Sequence, residues 1–245
     1  MAAPRILRVP ILPFGMVNAH LILGDRGSVL VDTGLPGSEG KVEKALRRAG
    51  RDLSDLKLIV VTHAHVDHAG SAARLRRRSG APIVAHRGDL AHYRREAPMT
   101  FCPTGPFGRF FLRTRLMLQP YEGFTPDILL GDGESLDLRP FGLEGSVDPT
   151  PGHTAGSISV SLASQVALVG DLIASGMLLG GIARTRHARR PPFEDDAFAV
   201  GTQLLGLVDA GHRRFYMGHG GPLTSAEVRR HARFLHTLTH SKELP

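Results

Sequence analysis

Residues 62–70, THAHVDHAG, place three histidines and an aspartate within six positions, directly after the apolar run LKLIVV. An apolar run of this length predicts a buried β-strand, so these side chains stand where rigid backbone ends. Imidazoles and a carboxylate crowded at a buried strand end need a partner, and a metal ion supplies one. We therefore predict a metal site that includes His63, His65, Asp67 and His68.

The spacing within this motif divides its members between two ions. His63 and His65 lie two residues apart in an extended segment, so both can project toward one ion. Asp67 and His68 follow where the chain turns into a helix, and they can face a second ion nearby. Nitrogen and oxygen ligands without a thiolate suit Zn²⁺, with iron or manganese as alternatives.

Three other predicted strand ends supply further candidate ligands. His153 lies in DPTPGHTAGS, where glycines and prolines constrain the loop. Asp171 follows the buried strand predicted for VALVG, and His219 follows the strand predicted for RRFYMG. A metal site draws its ligands from several segments, so we predict that these three residues complete the site begun by residues 62–70.

Short apolar runs alternate with helical patterns along the chain, without a repeat or a linker. AHLILG, GSVLV, LKLIVV and APIVAH predict strands, whereas SEGKVEKALRRAG and GSAARLRRRSG predict helices. Residues 97–125 carry no regular pattern, and strands and helices then resume. A capping box from Thr224 to Glu227 opens the last helix. This alternation predicts a single α/β domain over residues 1–245.

Composition narrows the class of protein. The chain has 245 residues, of which 42% are hydrophobic and 22% charged, so neither disorder nor a fibrous repeat is expected. No apolar run approaches the roughly 18 residues of a membrane span, and the one cysteine, Cys102, fits a reducing compartment. We expect a cytoplasmic protein without a membrane partner.

The net charge of +7 raises nucleic acid as a partner. Arginines cluster in ARTRHARR at residues 183–190 and in ARLRRRSG at residues 73–80, where Leu75 is the only apolar anchor. That pattern is typical of a solvated helix face, so we do not expect nucleic acid to be the partner.

The ordered motifs resemble those of the metallo-β-lactamase superfamily. His-x-His-x-Asp-His is followed by an isolated histidine, a Gly-Asp after a strand and a late Gly-His-Gly, and VDTG stands at residues 31–34. The match spans residues 18–221 and is much more specific for the fold than for the substrate. It implies a four-layer αββα sandwich with the metal site at one edge of its two sheets.

The resemblance also implies a role for each motif residue in a dizinc centre. A hydroxide held between two cations would attack a carbonyl that the metals polarise. Asp171 would bridge the ions, and Asp67 would also orient the hydroxide as a catalytic residue. Asp32 and Thr62 match positions that fix ligand orientation, with simple turn capping as the alternative. The implied ligands of the first ion are His63, His65 and His153, and those of the second are Asp67, His68 and His219.

Differences between this sequence and the motifs of individual subfamilies narrow the class of substrate. Zinc β-lactamases lack the bridging aspartate that Asp171 would supply, and homoserine lactonases carry a tyrosine that LIASGMLLGG lacks. Hydroxyacylglutathione hydrolases place a lysine and a tyrosine in the corresponding loop, and both are absent here. The remaining expectation is a hydrolase of an ester, thioester or lactone in a small molecule. The alternatives are a phosphodiesterase or nuclease of the same fold and a mononuclear iron persulfide dioxygenase.

Two segments are candidates for substrate contacts. Residues 97–125 are rich in Phe, Met and Leu, so Phe110 and Phe111 would belong either to a lid over the metals or to a homodimer contact. Arg184 and Arg186 could bind a carboxylate or phosphate of an anionic substrate, with solvated loop charge as the alternative.

Overall fold

The computed structural model describes residues 4–177, 179–180 and 182–240. Two six-stranded sheets and a two-stranded ribbon carry the strands. The strands of the first sheet are β1 (Arg5–Pro10), β2 (Asn18–Gly24), β3 (Gly27–Val31), β4 (Leu56–Val60), β5 (Ile83–His86) and β6 (Ile128–Leu130). The strands that follow are β7 (Leu136–Asp137), β8 (Gly145–Pro149), β9 (Ile158–Leu162), β10 (Val166–Leu168), β11 (Ala174–Ser175), β12 (Ala188–Arg189), β13 (Arg214–Tyr216) and β14 (Leu223–Thr224).

The order of strands differs between the two large sheets. The first sheet follows chain order from β1 to β6, antiparallel up to β3 and parallel from β3 onward. The second sheet has the order β14-β13-β10-β9-β8-β7, and only the β10–β13 pair is parallel. The ribbon pairs β11 with β12 in antiparallel register.

The helices lie outside the two sheets. The α-helices are α1 (Glu39–Arg48), α2 (Val66–Ala69), α3 (Ala72–Ser79), α4 (Leu90–Tyr93), α5 (Pro106–Arg113), α6 (Ala197–Asp209) and α7 (Ser225–His240). Short 3₁₀ turns cover Pro13–Gly15, Leu53–Asp55, Arg87–Asp89, Leu116–Leu118 and Arg139–Phe141. None of the helices that the structure describes combines the length and apolarity needed to cross a bilayer.

Alternation along the strands of the first sheet separates two cores. Val29 and Val31 of β3 belong to the core between the sheets, whereas Leu30 packs with α1 residues such as Leu46. Side chains of a strand point alternately to its two faces, so a strand that is apolar throughout must be covered on both sides. A helical layer and the second sheet provide those two covers.

The second sheet repeats this arrangement with its own helices. Leu168 of β10 joins the core between the sheets, and its neighbour Ala167 packs with Leu204 of α6 and Val228 of α7. Three buried clusters therefore separate four layers, in the order helices, sheet, sheet, helices. The predicted αββα sandwich is confirmed.

The arginine-rich helix α3 pairs with neighbouring carboxylates. Arg77 forms a two-pronged ion pair with Glu122, and Arg76 lies 3.4 Å from Asp127. Leu75 is fully buried beneath them. This helix therefore has the solvated charged face and the single apolar anchor that its sequence predicts.

The structure corrects the prediction for residues 97–125, because helix α5 lies within that segment. Pro106 stands in the first turn, where its missing N–H costs nothing and its fixed φ favours a helix. The helix has only eight residues, too few for a periodic pattern to stand out from the apolar residues on either side.

The predicted capping box of the last helix is half formed. The N–H of Glu227 donates to the Thr224 hydroxyl at 3.4 Å. The Glu227 carboxylate does not return to Thr224; it accepts the N–H of Ala188 and pairs with Arg230. This carboxylate therefore joins strand β12 to α7.

Candidate metal centre

Strand ends from both sheets bring the predicted site residues to one edge of the sandwich. Strand β4 ends just before residues 62–68, and β8 ends just before residues 150–157. The N–H of Ile158 donates to the carbonyl of Thr62 at 2.9 Å, which joins the two sheets at this point. Loops that leave different sheets therefore face each other across a short gap.

Three histidines from these loops form the first group. His63, His65 and His153 are buried, and their ligand atoms lie within 4.8 Å of one another. Nε2 of His153 is 3.2 Å from both Nε2 of His63 and Nδ1 of His65. Convergence of three ring nitrogens at this spacing is the arrangement in which they could share one cation.

Asp67, His68 and His219 form a second group within the same 4.8 Å limit. An Asp67 oxygen lies 3.5 Å from Nε2 of His219 and 3.8 Å from Nε2 of His68. All three residues are buried. A second cation could therefore lie beside the first.

Asp171 lies between the two groups. One of its oxygens is 3.4 Å from Nε2 of His68, and the other is 2.9 Å from Nε2 of His219 and 3.9 Å from Nε2 of His153. Gly218 allows this approach, because a Cβ there would collide with Asp171 and His68. A single carboxylate therefore contacts both groups.

Burial keeps the first group in the protonation state that metal binding requires. It lowers the pKa of His153 to about 4 and holds the pKa values of His63 and His65 well below the usual range. These imidazoles are neutral at pH 7. A neutral imidazole has a free lone pair to offer a cation.

Two carboxylates, Asp67 and Asp171, face the imidazoles of the second group. Burial disfavours the ionised form of Asp171, but His219 and His68 outweigh it and hold its pKa well below the usual range. Burial would lower the pKa of His219, yet Asp171 and then Asp67 raise it to about 9. In this geometry the imidazoles supply the positive charge that the carboxylates require, and a cation would supply it in their place.

The donor set fits divalent cations. Asp67 Oδ1, His68 Nε2 and Asp171 Oδ1 are buried and make no hydrogen bond. Leaving such atoms unpaired costs free energy, so they mark a position where a ligand belongs. Nitrogen and carboxylate oxygen without thiolate is the donor chemistry of zinc, manganese or iron sites.

Neighbouring groups hold the far side of three imidazoles. Nδ1 of His68 donates to Asp32 at 2.9 Å, Nδ1 of His63 lies 3.0 Å from the Thr62 hydroxyl, and Nδ1 of His219 donates to the carbonyl of Met16. Protonation at Nδ1 leaves each Nε2 free to face the cluster.

Asp32 and Thr62 are joined to each other. Asp32 accepts the Thr62 N–H and hydroxyl, both at 2.9 Å, and its own backbone has a φ of 62°. A non-glycine residue in the left-handed region carries backbone strain. In this conformation the Asp32 carboxylate bonds to both Thr62 and the His68 imidazole.

Asp89 was missed in the sequence interpretation. Its buried carboxylate accepts the N–H of Ala64 at 2.9 Å, the N–H of Gly156 at 2.9 Å and the hydroxyl of Thr154 at 3.0 Å. It therefore links the loop of His63 and His65 to the loop of His153. Burial raises its pKa. The available signal was its place directly after strand β5, at a strand end like the other site residues.

An apolar cavity of about 260 Å³ lies over the cluster. Its floor includes His65, Asp67, His153, Asp171 and His219. Its walls are apolar, apart from Gln119. The wall residues are Leu12, Val17, Leu35, Phe111, Leu116, Met117, Gln119, Leu179, Pro192 and Phe193.

Only one of the four predicted substrate residues lines this cavity. Phe111 does so, whereas the Phe110 side chain is 62% exposed, because adjacent residues of a helix point about 100° apart. Arg184 and Arg186 are exposed in the loop before β12 and do not reach the cavity wall. The structure does not place Phe110 or either arginine against a substrate in this cavity.

Comparisons with known proteins agree with this architecture. The sequence model of the metallo-beta-lactamase superfamily matches residues 12–219. Over 182 residues the chain is 31% identical to the probable metallo-hydrolase YqgX of Bacillus subtilis, covering 73% of this chain and 74% of that protein. Over 232 residues it is 28% identical to the hydroxyacylglutathione hydrolase GloC of Haemophilus influenzae, covering 94% and 97%.

A solved structure supports the same assignment. The crystal structure of a metallo-beta-lactamase family protein from Thermus thermophilus has a TM-score of 0.67 to this chain at 26% identity, covering 98% of this chain and 80% of that one. The sandwich and its buried histidine–aspartate cluster define a metal-binding hydrolase. The chain belongs to the metallo-β-lactamase superfamily.

Proposed function

We propose that this protein uses two divalent metal ions, zinc in preference to iron or manganese, to hydrolyse an ester, thioester or lactone with an apolar acyl group. The observation that carries this proposal is the position of the cavity. Its floor contains the histidine–aspartate cluster, and its walls are apolar. A bond placed over the cluster would therefore have an apolar group beside it.

The residues would divide between the two ions as their spacing suggests. Asp171 contacts members of both groups, so it is the residue we assign to both ions. When bound, divalent ions supply Lewis acidity and a water molecule of lowered pKa to the bond being cleaved. The proposed ligands are His63, His65 and His153 for one ion and Asp67, His68 and His219 for the other.

Asp67 is the residue we assign to the attacking water. It lies on the cavity floor, and its Oδ1 atom makes no hydrogen bond to the protein. That oxygen can accept a proton from a water molecule and aim the water's lone pair at a carbonyl above it. Asp32 keeps His68 in the required tautomer from the opposite side.

The cavity wall limits the charge of the substrate. None of the described residues that line it is a lysine or an arginine. Thioester cleavage, the activity in the name of the Haemophilus relative, is compatible with this site, but glutathione carboxylates would find no counter-charge on the wall. These observations favour an uncharged acyl group.

The wall position of Phe111 also supports the lid interpretation of residues 97–125. Its ring lies 6.3 Å from that of Phe193, and both rings line the cavity. Leu116 and Met117 extend the same wall. We assign this part of the segment to substrate enclosure.

The test combines metal analysis with a substrate panel. Purified protein should contain about two divalent ions per chain, since seven ligands exceed what one tetrahedral ion uses. Protein loaded with zinc, manganese or iron would be assayed on esters, thioesters, lactones and a phosphodiester. Acyl cleavage should dominate. Turnover of the phosphodiester alone, or a single iron ion with persulfide oxidation, would replace the proposal.

A further inference from the structure

Apolar side chains are exposed around the cavity rather than only inside it. On α5 and the turn after it, Phe110 is 62% exposed and Leu116 is 50% exposed. Ile182 is 66% exposed in the loop before β12. Single exposed apolar residues are ordinary, but a group of them marks a contact surface. The other exposed members of this group are Phe107, Leu118 and Met177.

The two segments that carry these side chains are adjacent. The N–H and hydroxyl of Thr104 donate to the carbonyls of Pro192 and Pro191 at 2.9 and 2.6 Å. Phe107 and Met177 line one cleft of about 310 Å³. We call the exposed described residues of 106–118 and 177–190 the mouth surface.

The mouth surface carries positive charge without any acidic residue. Residues 97–121 and 172–193 contain seven arginines and no aspartate or glutamate. Arg190 pairs with Glu194 just outside the segment. The other six are exposed and form no ion pair with any described residue. These six are Arg109, Arg113, Arg115, Arg184, Arg186 and Arg189.

The positive charge of the mouth surface distinguishes between two partners that could cover it, a second copy of the chain and a lipid surface. In a two-fold dimer the same patch meets itself, so a second copy would bring twelve arginines together with no carboxylate between them. An anionic lipid surface offers the complement. Aromatic and leucine side chains enter the boundary between headgroups and acyl chains, and arginines approach the phosphates.

We propose that the mouth surface docks on an anionic phospholipid bilayer. The sequence predicts no membrane partner, on the ground that no segment can span one, but a surface contact requires no span. Leu116 belongs both to the cavity wall and to the exposed group. Docking would therefore hold the cavity beside the lipid headgroups, within reach of amphiphilic molecules carried by the membrane.

Vesicle sedimentation tests the proposal on the full chain. Vesicles of phosphatidylcholine alone and vesicles that also contain phosphatidylglycerol would be mixed with the protein at low and at physiological salt. We expect binding to the anionic vesicles that is at least about tenfold tighter than to the neutral ones and that weakens with salt. Equal binding to both vesicles, or binding to neither, would overturn the proposal.

Two matched pairs of variants separate docking from general effects. Phe110→Ser should weaken vesicle binding about tenfold, whereas Phe234→Ser, a change of a 45% exposed ring on α7, should not. Arg113→Gln should weaken it, whereas Arg233→Gln on α7 should not. Control variants that lose as much binding as the mouth variants would show that the mouth surface is not the contact.

Two further measurements distinguish the rival occupants. If gel filtration shows a dimer that Phe110→Ser converts to monomer, the surface joins two copies and the lipid proposal fails. If soluble heparin binds as tightly as the vesicles and Phe110→Ser leaves both affinities unchanged, the contact is only electrostatic and the lipid proposal fails. Hydrolysis of a soluble short-chain ester by Phe110→Ser should equal that of the unaltered protein, so this test and that of the proposed hydrolase fail independently.

Discussion

The loops at the floor of the cavity are joined by buried hydrogen bonds. The part of the wall that Phe111 and Phe193 form, together with the rest of residues 106–118, is called the roof here, and it is held by ring contacts. Asp32 and Asp89 each accept several hydrogen bonds from the loops that carry the floor residues. In the roof, the Phe111 ring lies 5.8 Å from that of Phe107 and 6.3 Å from that of Phe193. Directional hydrogen bonds fix the positions of the side chains that would bind metal, whereas contacts between rings tolerate changes in the shape of the side chains or of a bound substrate.

The same comparison applies to the anchoring of each part. The roof segment is tied to the floor where the Tyr121 hydroxyl donates to the carbonyl of Ala64 at 3.1 Å. Between Pro106 and Leu118, exposed apolar side chains replace such polar ties. Changes to the floor should therefore abolish activity, and changes to the roof should alter substrate preference.

The largest effect is expected at the shared carboxylate. Asp171→Ala should lower activity by more than about 100-fold and reduce metal content together, since even residues that only orient ligands account for about 10- to 100-fold. Metal analysis and kcat/KM measure both effects. Asp132→Ala, a change of a 96% exposed carboxylate, is the control. An Asp171→Ala protein with two bound ions and normal turnover would show that activity does not depend on this floor residue.

Asp89 should show that the floor depends on the bonds between its loops. Asp89→Ala leaves the buried N–H groups of Ala64 and Gly156 without an acceptor, each at a cost of about 1–3 kcal/mol, whereas the Thr154 hydroxyl keeps Ser157 as a partner. The variant should weaken metal binding about 10- to 100-fold. Asp89→Asn keeps one acceptor oxygen and should lose less. Denaturant unfolding and metal titration measure these effects.

The control for Asp89 is an aspartate that bonds backbone elsewhere. Asp127 accepts the N–H of Ile83 at 2.8 Å, away from the cluster. Asp127→Ala should therefore lower stability without changing metal affinity. Equal losses of metal affinity in the two alanine variants would mean that Asp89 acts only on general stability.

A smaller effect is expected in the roof. If Phe111 encloses the acyl group, kcat/KM should rise about fourfold per added methylene, equivalent to about 0.8 kcal/mol, until the cavity is full. Phe111→Ser should flatten this trend and retain metal, whereas Phe110→Ser should keep the trend because its ring points outward. An acyl-ester series on both variants checks this, and identical trends would argue against an apolar roof.

The smallest effect concerns the tie between β12 and α7. The Arg230 hydrogen bond, the N–H of Ala188 and His187 lower the pKa of Glu227 to about 2. A depressed carboxyl pKa contributes stability that is full above about pH 4.5 and is lost as the pH falls through about 2. Unfolding of Glu227→Gln should differ from that of the unaltered protein at pH 6, and the difference should shrink below pH 4.5. A difference that is independent of pH would refute this assignment.

Much of the fold could be predicted from local pattern. Runs such as LKLIVV are apolar throughout because β4 is covered on both faces, and Leu58 and Ile59 indeed lie in different cores. The helix α5 could not be predicted, because its eight residues lie within a longer apolar segment. The first strand was also missed, since arginines and prolines interrupt its apolar positions.

The candidate site also has residues that the sequence predicts and one residue that it does not. The motif residues stand at the ends of strands, so their approach to one edge could be predicted from their order along the chain. Asp89 could not, because its role depends on Ala64 and Gly156 meeting across a gap between loops. Its place after strand β5 marks it only as one more side chain at a strand end and does not identify the groups that it bonds.

The sequence by itself determined most of the strands and the residues that gather at their ends, because burial leaves periodic patterns within short segments. The four-layer sandwich was implied only by the resemblance to the metallo-β-lactamase superfamily. Only the tertiary structure decided that Phe111 faces the cavity while Phe110 faces solvent, and that Arg184 and Arg186 lie outside it. The physical reason is that the rotation of a short helix and the direction of a loop are set by packing against segments distant in sequence, such as Pro192 and Phe193.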